Sequence, residues 1–489
     1  MNIKLKNIGI IKNSDIEIDG LTVITGDNNS GKTTTSKVIF SLVDAVSNIS
    51  SKHDIDRKNY IFSILEEVRD SLMPLGISRG FSENEDFLFP KDSPLYYLFK
   101  YRVISKGLSF DDQSEDLESF CHNLRSELND FDVQAINEDS SVYSYYIRFF
   151  RKGGNIDKVR KKVQGQLKSA IDKLDQMFLT LEHDPEMIDY IRANINQTLN
   201  VEFSSQIQPV KEKVKVSSIE VSDQDSIMFK FNIIDNKIVD DGNPVFFDVP
   251  YKKTYFIDNP FVLDSPLYRR ATLMFERPND GIILDTSRIL SHDIKLTNAL
   301  KSRKKTTIFE DTVIISELHE IINKINDVIS GDFEFGSDGD YYIKDGKKLY
   351  LTNLATGSKM FSILKILLER GEIDGATLLI FDEPEAHLHP NWQNKFAEII
   401  VMLVKFLNVG VLLTSHSPNF VLAIDAYMRK YDIANKTNFY KTDTLSDGFV
   451  KYTNQNDDLG QIYSDFTKYL SEVKALRDRY YNNLGEEDD

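Results

Sequence analysis

Gly26-Asp27-Asn28-Asn29-Ser30-Gly31-Lys32-Thr33 is the stretch that decides how this chain is read. It matches G-x-x-x-x-G-K-[ST], the phosphate-binding loop. Gly26 and Gly31 let the backbone curl until successive N–H groups converge on phosphate oxygens, and a helix opening near Lys32 adds its positive N-terminal dipole. The flanks fit. Leu21-Thr22-Val23-Ile24-Thr25 reads as a strand after a turn at Asp19-Gly20, Ile16 and Ile18 alternate as in a strand before it, and Thr33 to Val43 reads as a helix. Gly26, Asn28, Asn29, Ser30, Gly31, Lys32, Thr33 and Thr34 are therefore expected around the phosphates of ATP. Lys32 would bridge the β- and γ-phosphates, and Thr33 would ligate Mg²⁺.

Far downstream, Thr377-Leu378-Leu379-Ile380-Phe381 is a continuous apolar run of the kind buried on both faces of a parallel sheet, and it ends in Asp382-Glu383. Ligands of open α/β sheets sit at the carboxyl ends of the strands. Asp382 is thus placed to hold Mg²⁺ and Glu383 to polarise the attacking water. A second apolar strand, Val409-Gly410-Val411-Leu412-Leu413, runs into Thr414-Ser415-His416-Ser417-Pro418 and brings His416 to a strand end, within reach of a γ-phosphate. His387 and His389, with Glu383 and Glu385, lie in a loop beside Pro384 and Pro390 and fit no metal-site spacing.

Composition narrows the class. Apolar residues make up 41 % and charged residues 28 %, as in a globular chain, and no apolar run approaches the ~20 residues of a membrane span. The N-terminus lacks the apolar core and cleavage site of a signal peptide, so a cytoplasmic protein with no membrane partner is expected. Cys121 is the only cysteine, which excludes an intrachain disulfide and a cysteine-based zinc site. A net charge of −17 does not indicate nucleic acid as a partner. It leaves local basic patches open, at Arg151, Lys152, Lys158, Arg160, Lys161 and Lys162, and at Lys301, Arg303, Lys304 and Lys305.

At 489 residues, one core with a substantial insertion is expected. Residues 1–50 carry the phosphate loop. Residues 51–199 have helical periodicity, with Ile61, Leu65, Val68 and Leu72 on one face and Val163, Leu167, Ile171, Leu174, Phe178 and Leu181 as an amphipathic stripe. Strand periodicity returns over 200–265, with a turn at Asp241-Gly242-Asn243. A connection follows over 266–304, and then 305–455 holds a helix from Val313 to Ile329, hairpin strands through Phe333-Glu334-Phe335 and Tyr341-Tyr342-Ile343, and the acidic and histidine strands. Residues 456–489 read as a helix with an acidic tail.

These strings resemble the ABC-type ATPase heads of the SMC, RecN and RecF group, and most closely their OLD-like branch. The resemblance rests on Gly26 to Thr33, Leu354-Ala355-Thr356-Gly357-Ser358-Lys359, Leu379 through Pro390, and Thr414-Ser415-His416-Ser417-Pro418, with Phe256 to Asp264 as a further familiar segment. It implies an α/β fold, an ABC-type P-loop head with a mixed sheet flanked by helices and a large helical insertion. It also implies ATP hydrolysis with Asp382 as the magnesium-site acid, Glu383 as the catalytic base and His416 as the switch histidine. Ala355, Thr356, Gly357 and Lys359 would form the signature that meets ATP bound to a second copy, followed by a helix from Phe361 to Glu369. Ala355 departs from the serine common in the family, which weakens the case for activation in trans. Residues 386–390 would contact the partner copy, and Asp258 or Asn259 stands where a glutamine loop would be.

OLD-type nucleases continue into a Toprim domain, but only ~70 residues follow His416, fewer than the ~100 of a compact domain. The chain is accordingly similar to the stand-alone ATPases of anti-phage systems of the PARIS type, and less so to those of the Septu type. That similarity implies a homo-oligomer, a separate effector (Toprim-like, or an HNH nuclease) and a phage-encoded trigger protein. A repair ATPase of the RecF or RecN kind, acting on DNA, is the alternative.

Overall fold

Alternating burial along β1 (Asn2–Ile8) and β2 (Ile11–Glu17) turns Ile3, Leu5, Ile8, Ile11 and Ile16 to the core and pairs the two strands as an antiparallel hairpin. The computed structural model describes residues 1–73, 93–100, 117–147, 154–183, 185–210, 214–223, 226–239, 249–264, 291–302, 315–336 and 339–485. β3 (Leu21–Thr25) is buried at every position, as a strand covered on both faces must be. The other strands are β4 (Ser217–Asp223), β5 (Ser226–Ile234), β6 (Lys237–Val239), β7 (Lys253–Ile257), β8 (Asp332–Gly336), β9 (Gly339–Lys344), β10 (Lys347–Tyr350), β11 (Thr377–Asp382), β12 (Gly410–Ser415), β13 (Thr437–Thr444) and β14 (Val450–Asn454).

Eleven of them form one mixed sheet in the order β6-β5-β4-β1-β2-β14-β13-β3-β12-β11-β7. From β13 to β7 every neighbour is parallel, and the β6-β5-β4-β1-β2 wing is antiparallel throughout. Register then positions the site. Thr25 faces Ser415, Thr414 faces Asp382, and Phe381 faces Ile257, so β3, β12, β11 and β7 all end at one level. β8, β9 and β10 make a separate three-stranded antiparallel sheet.

The chain divides into two compact units, Met1–Ser47 with Ile191–Asp489, and Asn48–Tyr190. In the first, α1 (Lys32–Val46) follows the phosphate loop. The second unit is helical among its described residues. It contains α2 (Ile49–Leu72), α3 (Pro94–Lys100), α4 (Leu117–Asp130), α5 (Ser141–Ile147) and α6 (Ile156–Glu182). Its core is its own. Ile61, Leu65, Val68 and Leu72 of α2 pack in one cluster with Val159, Val163, Leu167, Ala170, Leu174, Met177 and Leu181 of α6. Of the expected stripe, Ile171 and Phe178 are only partly buried, because the buried seam of α6 steps through Ala170 and Met177 instead.

Sequence periodicity carried the insertion to residue 199, but the compact unit ends at Tyr190, inside α7 (Met187–Glu202). The reason is packing. Ile191, Ile195 and Leu199 are buried, and Glu202 bonds to His292 within the first unit. That unit continues with α8 (Ser291–Lys301), α9 (Ile315–Asn326), α10 (Thr356–Glu369), α11 (Pro390–Leu407), α12 (Pro418–Lys430) and α13 (Gly460–Gly485). α10 buries almost its whole length beside Phe381, Phe396 and Phe420 in the main core. The turn at 241–243, the basic residues 151, 152 and 303–305, and the acidic tail 486–489 lie outside the described residues. Among the described residues no helix is long and apolar enough to cross a membrane.

Candidate active site

The loop between β3 and α1 needs its glycines for space. Gly31 caps α1 in the left-handed conformation (φ 82°). A Cβ on Gly26 (φ 151°) would lie 1.7 Å from Thr442 Oγ1 of β13. Asp27, Asn28 and Asn29 are exposed at the rim, while Ser30, Gly31 and Lys32 are buried and Thr34 is half-buried. Lys32 Nζ donates to the carbonyls of Gly26 (3.0 Å) and Asp27 (2.8 Å) and lies 3.4 Å from Glu383 Oε1.

Asp382 closes the loop from the other side. Its Oδ2 accepts from Thr33 Oγ1 at 2.6 Å and its Oδ1 from Thr414 Oγ1 at 2.5 Å. Burial pushes its carboxyl above the ordinary range; the two hydroxyls oppose that, and the charges of Glu383 and Asp258 add to it. Glu383 adopts a left-handed backbone (φ 50°), uncommon for a residue with a side chain, and its N–H donates to Thr414 O and Oγ1, each at 3.1 Å. This turn aims its carboxylate between Lys32 and His416, whose Nδ1 is 3.2 Å from Glu383 Oε2. The strand ends thus bring together Lys32, Thr33, Asp382, Glu383 and His416.

Glu385, which in the sequence belongs only to a His-Glu group without metal-site spacing, is buried and holds the histidine strand in place. Its Oε1 accepts from Ser415 Oγ (2.5 Å) and from His416 N (3.2 Å). Burial raises its carboxyl pKa despite the Ser415 bond. His389 caps α11 by accepting from Asn391 N (3.3 Å), and His387 packs edge-on to Phe261, which accounts for both histidines without a metal ligand role.

The signature residues divide. Ala355 is exposed and Thr356 half-buried at the start of α10, and Gly357 is covered by Trp392, whose ring would lie 3.0 Å from a Cβ there. Lys359, expected at a nucleotide, is turned inward instead. Its Nζ is buried and donates to both Asp264 oxygens (2.8 and 2.6 Å) and to Thr352 O (3.0 Å). On the inner face of α10 its charge can be buried only against a carboxylate, so its place is structural.

A family model described as an AAA ATPase domain (AAA_15) matches residues 1–421. The chain belongs to this family. Among solved structures this AAA ATPase domain is similar to the SMC head domain from Thermotoga maritima, at 10% identity over 93% of this chain and 97% of that one, TM-score 0.35. It is also similar to an SMC head bound to the C-winged helix domain of ScpA, at 11% identity over 95% and 98%, TM-score 0.35. A head with a coiled coil and joint from Pyrococcus yayanosii matches at 10% identity over 95% and 99%, TM-score 0.31. These superpositions are loose; the strand order and the residues at the strand ends are what assign the P-loop ATPase head fold.

The donor set of the AAA ATPase domain fits magnesium, since a threonine hydroxyl and a carboxylate are hard oxygen ligands and Thr33 and Asp382 already meet at 2.6 Å. Beside them lies a group that no sequence motif marks. Asp258, just past β7, is joined by His292 and Asp293 of α8. Burial lowers the His292 pKa, but Asp258 and Glu202 outweigh it and bring it to about 9. In the sequence Asp258 stands only where a glutamine loop would be, and no local pattern pairs it with a histidine on a distant helix.

Proposed function

We propose that the chain binds and hydrolyses ATP as a switch, and that a second copy completes the site. The observation that carries this reading is the carboxylate of Glu383 held between Lys32 and His416, beside the Thr33–Asp382 pair. Glu383 orients a water and accepts its proton, and Lys32 turns from the loop carbonyls to the β- and γ-phosphates. His416, with 43% of its side chain exposed, reaches the γ-phosphate side. Mg²⁺, held by Thr33 and Asp382, would neutralise charge on the phosphates. Ala355 and Thr356 remain open at the start of α10 toward a nucleotide carried by another copy. Light scattering of Glu383→Gln should show a dimer or larger assembly with Mg²⁺ and ATP and a smaller species without them. An unchanged monomer under both conditions would contradict the shared site.

We infer further that the switch is the sensor and scaffold of a bacterial anti-phage system. It would hold a separate effector, Toprim-like in preference to HNH, until a phage-encoded protein triggers release. This rests on the resemblance of Leu379 through Pro390 and Thr414 through Pro418 to stand-alone ATPases of such systems. Cells carrying the chain with its neighbouring gene should resist phage plating, and Lys32→Ala should abolish that resistance. Equal plating on both strains, with hydrolysis stimulated by DNA and suppressed by salt, would favour the repair ATPase instead.

A further inference from the structure

His292 stands next to the nucleotide site with its imidazole fully buried. One side is accounted for. Nδ1 donates to Glu202 Oε2 at 2.7 Å, and the His292 N–H donates to Glu202 Oε1 at 3.0 Å, so the carboxylate of α7 fixes the ring and its tautomer. The rings of Phe256 and Phe40, with centroids 4.6 and 5.9 Å from that of the imidazole, wall it in. Nε2 has no hydrogen-bond partner although it is buried. It points between Asp258 Oδ2 at 3.5 Å and Asp293 Oδ1 at 3.9 Å.

Those separations are long for hydrogen bonds and right for ligands. Two donors each about 2.1 Å from one ion at a tetrahedral angle lie about 3.4 Å apart. The three candidate atoms all fall within 4.8 Å of one another. A histidine that donates through one nitrogen to a carboxylate and offers the other to a cation is the usual arrangement around protein-bound metals, and the ion here takes the place of the proton that Nε2 carries in its absence. Lys37, the cation nearby that acts on both aspartates, has its own partner in Glu202 O at 3.1 Å.

We propose that Asp258, His292 and Asp293 form a second cation site, distinct from that of Thr33 and Asp382, which takes a divalent first-row transition metal of the zinc type. One imidazole nitrogen with two carboxylate oxygens favours such an ion over magnesium or calcium, which prefer all-oxygen shells. Water completes the coordination, since Asp258 and Asp293 are partly exposed. The ion clamps the end of β7 to the start of α8, one strand away from Asp382.

Co²⁺ is the probe, because its visible bands report coordination. The full chain, freed of metal by chelator and without nucleotide, is titrated with Co²⁺. One equivalent should bind with bands of a nitrogen- and oxygen-ligated ion, and Asp293→Asn should weaken it at least tenfold, since loss even of a group that only orients a ligand costs about 10- to 100-fold. Asp382→Asn and Lys32→Ala should leave the bands unchanged. Asp293→Asn is the deciding variant because its partly exposed carboxylate can be replaced without opening the core, and an unchanged melting curve confirms its fold. If that variant fails to fold, Asp293→Ser takes its place. No visible bands, bands indifferent to loss of the Asp293 carboxylate, or bands lost in Asp382→Asn would each overturn the proposal.

Discussion

Thr33 Oγ1 donates to Asp382 Oδ2 at 2.6 Å, joining the phosphate loop to the acidic strand across 349 residues of sequence. Hydroxyl and carboxylate can turn together to a cation, so this bond marks where magnesium would be held. Asp382→Asn is expected to reduce the gain in ATP-analogue affinity on adding Mg²⁺ on the order of 10- to 100-fold while leaving metal-free binding nearly intact. Fluorescence titration with and without Mg²⁺ checks it. An undiminished Mg²⁺ effect would place the ion elsewhere.

Gly26→Ala should cost stability and nucleotide binding together. The added Cβ meets Thr442 Oγ1 at 1.7 Å, which the loop must relieve by moving. Overpacking of this kind costs about 1–3 kcal/mol. Adding Thr442→Ala removes the obstructing oxygen and should recover part of the loss in thermal denaturation. No recovery would show that the backbone conformation at Gly26, rather than the clash, sets the cost.

Glu385 acts through the histidine strand. Glu385→Ala should lower kcat about tenfold or more and leave ATP affinity near that of the wild type, because Ser415 and His416 N lose their acceptor while the phosphate loop is untouched. Steady-state phosphate release and analogue binding separate the two. Equal losses in both would mean that Glu385 merely holds the fold.

Glu398 sets an acid limit on stability. Burial would raise its pKa, but Lys430 at 2.7 Å, the Tyr431 hydroxyl at 2.9 Å and Lys324 at 3.1 Å hold it below its ordinary value. A carboxylate depressed by folding contributes stability above its unfolded pKa of about 4.3, and that contribution disappears as pH falls through the folded value. Glu398→Gln should cost about 1–2 kcal/mol near neutral pH, a figure held down by solvent around the two lysines, and the difference should vanish in acid. Denaturant unfolding of both proteins across the pH range measures it. A pH-independent difference would contradict the ion-pair origin.

The parts of this site legible in the sequence are those written in short windows. β3, the glycine loop and α1 form one continuous signal, and Asp382, Glu383 and His416 each follow an apolar strand whose end is visible as a change of character. Parallel pairing in register then brings them to one level, as strand-end chemistry requires. What could not be read depends on tertiary partners. Lys359 looks like a nucleotide contact until Asp264 is seen beside it, and Glu385 looks like loop until Ser415 and His416 N are bonded to it. Glu202, Asp258 and His292 come from α7, the end of β7 and α8, elements whose neighbourhood no local periodicity encodes. The end of the helical insertion is hidden for the same reason: α7 is one uninterrupted helix, and from Ile191 onward it belongs to the first unit.

The proposed role of Glu383, held between Lys32 and His416, is that of the base for hydrolysis. It is tested most directly by single-turnover phosphate release from Mg²⁺ and ATP by Glu383→Gln alongside the wild type, with bound nucleotide measured in the same samples. Release should fall by about 10²- to 10⁴-fold, the usual contribution of general-base catalysis, with ATP still bound. Release at the wild-type rate with ATP bound would contradict it.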